Sequence, residues 1–299
     1  MISYSVIIVA YNSASAIAEC LKSVAVSANG YEVESIIVDN ASPDLTKKIL
    51  KEQFPGIPLI ENASNTGFAA GVNLGVEASK NSYIVLLNPD TIVEEKFFTK
   101  CSDIVAAKPN AAILGPNLVD DNGRHQSSCW KTPTMLTTLV EMLLPYKLSL
   151  DIVTDNPAIT SEVAMVSGAC LVIRRDVFER MKGMDEQFFM YYEDADLCYR
   201  VRKDGYHIFY HPSINVYHKI SGSGENTEML TMQYYRSKVR FFKKHYPWWY
   251  ALAVRIIVVL GIVVRVPTYF VVGGVLANKK FLGLAKLYLQ VVRRLAEIA

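Results

Sequence analysis

The chain has 299 residues, 51% of them hydrophobic, with a positive mean hydropathy and a formal charge of +2, enough for one large α/β domain or one domain with an appendage. That small total hides an asymmetry: residues 236–299 hold 12 Lys or Arg against Glu297 alone, a local +11 that leaves −9 on residues 1–235. Because the basic residues are interleaved with long aliphatic runs, anionic lipid is the expected partner and nucleic acid is not. Five dispersed cysteines (Cys20, Cys101, Cys129, Cys170, Cys198) without CxxC spacing argue against a disulfide framework or a zinc ribbon. They read as reduced core thiols of a cytosolic chain, and the N-terminus lacks the basic start of a signal peptide.

Tyr4–Ala10 is a continuous apolar strand, and Ile17, Cys20, Leu21 and Val24 follow at helical spacing, a βα unit. Its connecting turn, Ala10-Tyr11-Asn12-Ser13, is not glycine-rich, which excludes the dinucleotide fingerprint and the P-loop. Ser35–Val38 predicts a second strand running into Asp39-Asn40-Ala41-Ser42-Pro43-Asp44, turn chemistry before a helix at Leu45–Phe54. A third strand near Pro58–Ile60 leads into Asn65-Thr66-Gly67-Phe68-Ala69-Ala70-Gly71-Val72-Asn73, a small-residue loop that opens a helix. Its glycines suit either close backbone approach to an anionic ligand or close helix packing.

The stretch Leu86-Leu87-Asn88-Pro89-Asp90-Thr91 ends a β-rich run (Tyr83–Leu87) in a carboxylate, because Pro89 cannot continue a central strand. Asp90 is thereby delivered to the carboxyl edge of a sheet, where open α/β sheets bind ligands. It could hold a divalent cation that in turn holds a diphosphate, or simply cap a helix near Glu94–Lys108. A strand near Ala112–Leu118 follows, residues 126–162 show no periodicity, and strands are expected at Val163–Val166 and Cys170–Arg174 around Ser167-Gly168-Ala169. Glu193-Asp194-Ala195-Asp196 either is a solvated first helical turn or, flanked by Phe188, Phe189, Tyr191 and Tyr192, places a carboxylate of tuned basicity in a partly apolar pocket. Strands at Ile208–Tyr210 and Ile214–Tyr217 deliver His218, a structural histidine or a ligand, to the Ser221-Gly222-Ser223-Gly224 loop.

Taken in order, Val9-Ala10-Tyr11-Asn12, Val38-Asp39-Asn40-Ala41-Ser42, Asn65-Thr66-Gly67-Phe68, Asn88-Pro89-Asp90 and Glu193-Asp194-Ala195-Asp196-Leu197 resemble the signatures of the family 2 glycosyltransferases over residues 4–223. The Asn-Pro-Asp and Asn-Thr-Gly-Phe versions are most similar to the bacterial rhamnosyltransferase-like branch, which builds cell-surface polysaccharides such as O-antigen. The resemblance implies the α/β GT-A fold, with a Rossmann-like mixed sheet, over residues 1–235, and residues 236–299 as C-terminal amphipathic membrane-associating helices. It assigns Ala10, Tyr11, Asn12 and Asp39 to the nucleotide, with Asp39 reading the pyrimidine ring. Asn65, Gly67, Phe68 and Asn73 would lie along the nucleoside and diphosphate, and Asn88 and Glu193 beside the donor. Asp90 would bind Mg2+ or Mn2+ with His218 as a further ligand, and Asp194 would be the base. Where the family usually has Asp-x-Asp, this chain has Asn88, whose amide contributes no charge.

The implied chemistry is one in-line displacement with inversion: a carboxylate deprotonates the acceptor hydroxyl while a cation stabilises the departing diphosphate. L-Rhamnose from dTDP-L-rhamnose is the expected donor and a polyprenyl-linked glycan the acceptor. The alternatives are a UDP-sugar-dependent transferase and a membrane-bound nucleotide-sugar-binding protein without catalysis. A sugar-nucleotide pyrophosphorylase would resemble a Gly-rich, Arg- and Lys-bearing first loop, which Ala10-Tyr11-Asn12-Ser13 is not.

Leu252–Leu276 is apolar enough to consider as a span, but Arg255 and Arg265 interrupt it. Beyond it, Lys279, Lys280, Lys286, Arg293 and Arg294 gather on one helical face opposite Phe281, Leu284, Tyr288, Val291, Val292 and Leu295, an interfacial pattern. The expectation is peripheral or monotopic attachment to the cytoplasmic face of the bacterial inner membrane. The competing use of the same tail is packing on the catalytic domain or in a homo-oligomer interface.

Overall fold

The computed structural model describes residues 2–144, 152–154, 157–219, 227–275 and 277–298. The chain divides into two compact units, one of Met1–Thr132, Thr154–Phe189 and Glu193–Ser223, the other of Pro133–Val153, Met190–Tyr192 and Gly224–Ala299.

The first unit is a mixed sheet with helices against it. Its strands are β1 (Ser3–Ala10), β2 (Glu32–Asp39), β3 (Leu59–Glu61), β4 (Tyr83–Leu87), β5 (Thr91–Val93), β6 (Ala111–Val119), β10 (Cys170–Arg174) and β11 (His207–His218), in the order β3-β2-β1-β4-β10-β6-β11-β5. A short β8 (Ser161–Glu162) pairs with β11, and β7 (Cys129–Trp130) pairs with β9 (Met165–Val166) in a separate ribbon. Strands β1 to β4 are mutually parallel, β10 runs antiparallel between β4 and β6, and β11 is parallel to β6. The carboxyl ends of β1, β2, β4, β6 and β11 therefore share one edge with the start of β10, where Cys170 lies opposite Leu87.

Both faces of the central strands are covered, which is why they read as unbroken apolar runs rather than alternating ones. Ile7, Ile8, Ile84, Val85, Leu86, Leu87, Leu171 and Val172 are all buried, each such side chain contributing about 1.5–3 kcal/mol of transfer free energy. Helices α1 (Ile17–Ser27), α2 (Thr46–Gln53), α3 (Phe68–Glu77), α4 (Phe97–Ala107), α6 (Arg175–Arg180) and α7 (Glu193–Lys203) complete this unit. The small residues of α3 are there for packing: a Cβ at Gly75 would come within 2.5 Å of Ile7 Cγ2, and one at Gly71 within 2.7 Å of Val9 Cγ1.

Three expectations change. The helix expected over Glu94–Lys108 starts at Phe97, because Thr91–Val93 is claimed by β11 as an antiparallel partner. Asp90 accordingly caps no helix. The two strands expected around Ile208 and Ile214 are one, with an irregularity between His211 and Asn215 that accommodates Pro212. Val163–Val166 is not one strand either: only Met165–Val166 is extended, paired with β7, while the strand that serves β11 is Ser161–Glu162 just before it. The loop Ser221-Gly222-Ser223-Gly224 lies outside the described residues. All five cysteines are buried thiols.

The second unit is helical: α5 (Met135–Leu143), α8 (Thr227–His245), α9 (Trp248–Val275) and α10 (Lys279–Arg293). Helix α5 opens with a reciprocal cap between Thr134 and Thr137. Helix α9 is long and apolar enough to cross a membrane by length and composition. Arg265, in its apolar run, is drawn inward: its guanidinium donates to the hydroxyls of Tyr235 (2.7 Å) and Tyr288 (2.9 Å) and to the Glu141 carbonyl. A face of α9 at Leu252, Ile256, Leu260, Val263, Val264 and Val271 remains exposed.

Candidate active site

Ala10, Asp39 and Asn88 lie at the carboxyl ends of the adjacent strands β1, β2 and β4. At β1 and β2, Ala10 lies opposite Asp39, and the Asn40 N–H donates to the Ala10 carbonyl at 2.8 Å. Asn12 adopts a left-handed conformation (φ 53°), and its N–H donates to Ser42 Oγ at 3.2 Å. Asp39 is wholly buried. Its Oδ2 accepts the Ser42 N–H at 3.2 Å, but its Oδ1 has no hydrogen-bond partner among the described residues. Turn chemistry thus accounts for one oxygen only. A buried carboxylate oxygen left unpaired costs roughly 1–3 kcal/mol or more, so an incoming N–H would be strongly favoured there.

Behind Asp39, Asn40 organises the small-residue loop: its amide donates to the Gly67 carbonyl at 2.9 Å, and its Oδ1 accepts from Asn62 (2.6 Å) and Thr66 (3.2 Å). Asn65 Oδ1 accepts the Gly67 N–H at 3.0 Å. Gly67 must be glycine on two counts: its φ is 90°, and a Cβ would lie only 2.4 Å from the Phe189 carbonyl oxygen. The Phe68 N–H donates to that same carbonyl at 2.8 Å. Asn73 has a different task from the one expected: its amide binds the Met184 carbonyl and Glu186, both at 2.9 Å, and its Oδ1 accepts the Met184 N–H at 2.9 Å. Those bonds tie α3 to the 183–186 turn.

At β4, Asn88-Pro89-Asp90-Thr91 is a tight turn in which the Thr91 hydroxyl donates to the Asn88 carbonyl at 2.7 Å. Asp90 Oδ1 lies 3.5 Å from His218 Nε2, at the end of β11, which pairs with β5 at Thr91. Gln126 orients the imidazole from behind, its amide donating to the His218 carbonyl at 2.8 Å and its Oε1 lying 3.0 Å from Nδ1. Burial pushes the His218 pKa down, with Asp90 opposing, so the ring is held neutral and able to ligate. One carboxylate and one neutral imidazole, the latter fixed through its second nitrogen, form a donor set that fits a divalent cation. Among the described residues no group of three or more His, Cys, Asp or Glu is gathered for a metal. An ion here would therefore take its remaining ligands from a diphosphate and water, the habit of Mg2+.

At α7, Asp194 Oδ2 accepts the Gly168 N–H at 2.9 Å, and Oδ1 accepts the Ala195 N–H at 2.7 Å. The next residue, Ala169, gives its carbonyl to the Asn88 N–H at 2.9 Å. Asp194 is thus tied to the Asn-Pro-Asp turn through one bond to its side chain and one backbone bond. A Cβ on Gly168 would sit 3.4 Å from Asp194 Oδ2, so glycine leaves that carboxylate room. Burial raises the pKa of Asp194, the two N–H donors working against it. Glu193 is held well above its ordinary value by burial and then by the charge of Asp194, and its Oε2 has no hydrogen-bond partner among the described residues. Burial thus pushes both adjacent carboxyls toward their protonated forms, and the charge of Asp194 adds to the effect on Glu193. Asp196 stands apart: fully buried, it pairs with Arg200 at 2.7 Å within the helix, a structural ion pair. Just before Glu193, Tyr191 and Tyr192 both have positive φ (66° and 67°), strain of order 1–3 kcal/mol each that clusters at functional sites.

Sequence reasoning missed Asn40, Gly168, Ala169 and Gln126 as supports. The Ser167-Gly168-Ala169 interruption between two strands was the visible signal for the second and third. Gln126 had none, lying where periodicity fails.

A mixed sheet that gathers Asp39 and Asp90 at one edge is the architecture expected of the GT-A class. A family model described as glycosyl transferase family 2 matches residues 5–182, more than half of the chain, and the protein belongs to that family. A second model, for the N-terminal domain of galactosyltransferase, matches residues 148–221. The N-acetylglucosaminyl-diphospho-decaprenol L-rhamnosyltransferase of Mycobacterium tuberculosis is 27% identical over 73% of this chain and 78% of its own. The dTDP-rhamnosyl transferase RfbF of Shigella flexneri is 25% identical over 71% and 72%. Among solved structures, S. aureus TarS 1-349 superposes with a TM-score of 0.54 at 15% identity over 81% of this chain, which spans 65% of that one. The mannosyltransferase PcManGT from Pyrobaculum calidifontis, in complex with GDP-Man and Mn2+, gives a TM-score of 0.57 at 15% identity over 99% of this chain and 84% of its own. The solved structures agree on the fold.

Proposed function

We propose that this enzyme is an inverting rhamnosyltransferase that moves L-rhamnose from dTDP-L-rhamnose to a polyprenyl-linked glycan at the cytoplasmic face of the bacterial inner membrane. The observation that carries the reading is the hydrogen-bonded run from Asp194 through Gly168 and Ala169 to Asn88, which joins a carboxylate of raised pKa to the Asn88-Pro89-Asp90 turn. The donor sugar and acceptor class are taken from the two rhamnosyltransferases above, one named for a diphospho-decaprenol acceptor and the other for a dTDP donor.

In this reading the partnerless Oδ1 of Asp39 accepts the ring N–H of thymine, and Asn65 and Gly67 line the nucleoside. Asp90 and His218 hold Mg2+ or Mn2+, which when bound offsets the charge on the leaving diphosphate. Asp194 takes the proton of the acceptor hydroxyl as that oxygen attacks the sugar. Gly168 and Ala195 keep its carboxylate aimed throughout. Screening dTDP-rhamnose against UDP- and GDP-sugars for acceptor-dependent release of the nucleoside diphosphate tests the reading. Release from UDP-sugars alone would replace the rhamnosyl assignment with the UDP-dependent alternative.

Asp39→Ala is expected to weaken dTDP binding by about 1–3 kcal/mol, the range for a lost charge-assisted bond, with little change in turnover at saturating donor. Isothermal titration with dTDP measures it; equal affinities would assign Asp39 to the turn alone.

Membrane attachment rests on the exposed apolar face of α9 combined with the local charge of +11. With Arg265 engaged inside the helical unit, we place α9 along the interface rather than across it. The protein should sediment with anionic vesicles and be released by high salt or alkaline carbonate, and Ile256→Asp with Leu260→Asp should abolish sedimentation. Carbonate resistance with the C-terminus reachable only from outside the cell would mean a true span.

A further inference from the structure

Three residues in mid-chain, Met190–Tyr192, belong to the same compact unit as α8, although Phe189 and Glu193 on either side belong to the unit of the sheet. Helix α8 grips them at several points. Ser237 Oγ donates to the Met190 carbonyl at 2.8 Å. The Tyr192 ring lies 5.7 Å from both Tyr234 and Phe241, and Tyr191 meets Tyr234 edge-on at 5.8 Å. Lys238, with no exposed side-chain surface, sets its ammonium 5.9 Å from the Tyr192 ring centroid and 5.0 Å from that of Tyr234, and pairs with Glu141 from α5.

A fully buried ammonium needs a reason, because desolvation opposes it unless partners are in place. Here the partners are one carboxylate and two aromatic faces, and cation–π attraction is strongest where water is excluded. One of those faces belongs to the second of two consecutive left-handed tyrosines, a backbone arrangement that persists only when its surroundings over-determine it. The chain leaves that turn directly into Glu193 and Asp194.

We propose that Lys238, assisted by Ser237, is a positioning residue: it locks the Tyr191–Tyr192 turn and so sets the direction in which Asp194 enters α7. The proposal rests on Asp194 being the base.

The test compares Lys238→Met, Lys238→Arg, Ser237→Ala and Asp194→Asn, with Lys238→Met also placed in the Asp194→Asn background. Lys238→Met should lower kcat by about tenfold to a hundredfold, the scale of a small misplacement of a catalytic group, with the donor KM nearly unchanged. Lys238→Arg, which keeps a cation over the rings, should recover most of that. In the Asp194→Asn background Lys238→Met should cost nothing further, because both changes act on one step. If Lys238→Met does not fold, Ser237→Ala, which buries no charge, should show the same kcat loss in milder form. A folded Lys238→Met with normal kcat, or a loss that adds in full to that of Asp194→Asn, overturns the positioning role. Normal turnover in Asp194→Asn instead removes the base assignment itself, so the two failures are told apart.

Discussion

Asp194→Asn should lose most turnover, on the order of 10²–10⁴-fold for a missing acid–base group, while binding the donor as tightly as the unaltered enzyme. The asparagine keeps the size of the side chain and can still accept the Gly168 N–H through its amide oxygen, at the cost of the bond from the Ala195 N–H, which an amide nitrogen cannot accept. The same assignment dictates the pH profile. A base works in its ionised form, and burial raises the pKa of Asp194. The rate should therefore fall on acidification at a pH above that of an exposed aspartate, and recover as pH rises through the raised value. Steady-state kinetics from acid to neutral pH, paired with dTDP binding, measures both effects. A variant that turned over normally would exclude Asp194, and one that failed to fold would mark it as structural.

Asp90→Ala should abolish metal-dependent donor binding, and EDTA should silence the unaltered enzyme until Mg2+ or Mn2+ is returned. The expected effect is large because, in this reading, Asp90 and His218 would be the ion's ligands among the described residues, with the amide of Asn88 in place of a second acid. Losing one of two protein ligands leaves the diphosphate little to be anchored through. His218→Ala should show a milder form of the same defect, and Gln126→Ala, which only orients the ring, a milder one still. Metal titration monitored through dTDP binding separates these variants. Full activity in EDTA would transfer the leaving-group charge to Lys or Arg side chains.

Much of the first unit was legible because burial on both faces writes itself into sequence as unbroken apolar runs: β1, β2, β4 and β10 lie where Tyr4–Ala10, Ser35–Val38, Tyr83–Leu87 and Cys170–Arg174 announced them. What failed was information held in partners rather than in local pattern. Thr91–Val93 is a strand only because β11 pairs with it. Asn73 looks like any exposed helix polar until Met184 and Glu186 come into reach from more than a hundred residues away. Gln126 stands behind His218 through contacts between residues 92 apart in sequence. The glycines illustrate the same limit, since Gly67 serves a left-handed turn whereas Gly71 and Gly75 serve packing, and composition alone cannot divide those roles. Hydropathy counted Arg265 as an isolated charge in an apolar run; Tyr235, Tyr288 and the Glu141 carbonyl make it an internal tie.

The stereochemistry of transfer tests the central claim most directly. One carboxylate base opposite the leaving diphosphate allows only a single displacement, so the sugar–acceptor bond must have the anomeric configuration opposite to that of the donor. Determining the anomer of the purified product by its C1–H1 coupling in NMR should give an α-linked rhamnoside from the β-configured dTDP-L-rhamnose. A β-linked product would contradict the account, because retention requires a second displacement that Asp194 as sole base does not provide.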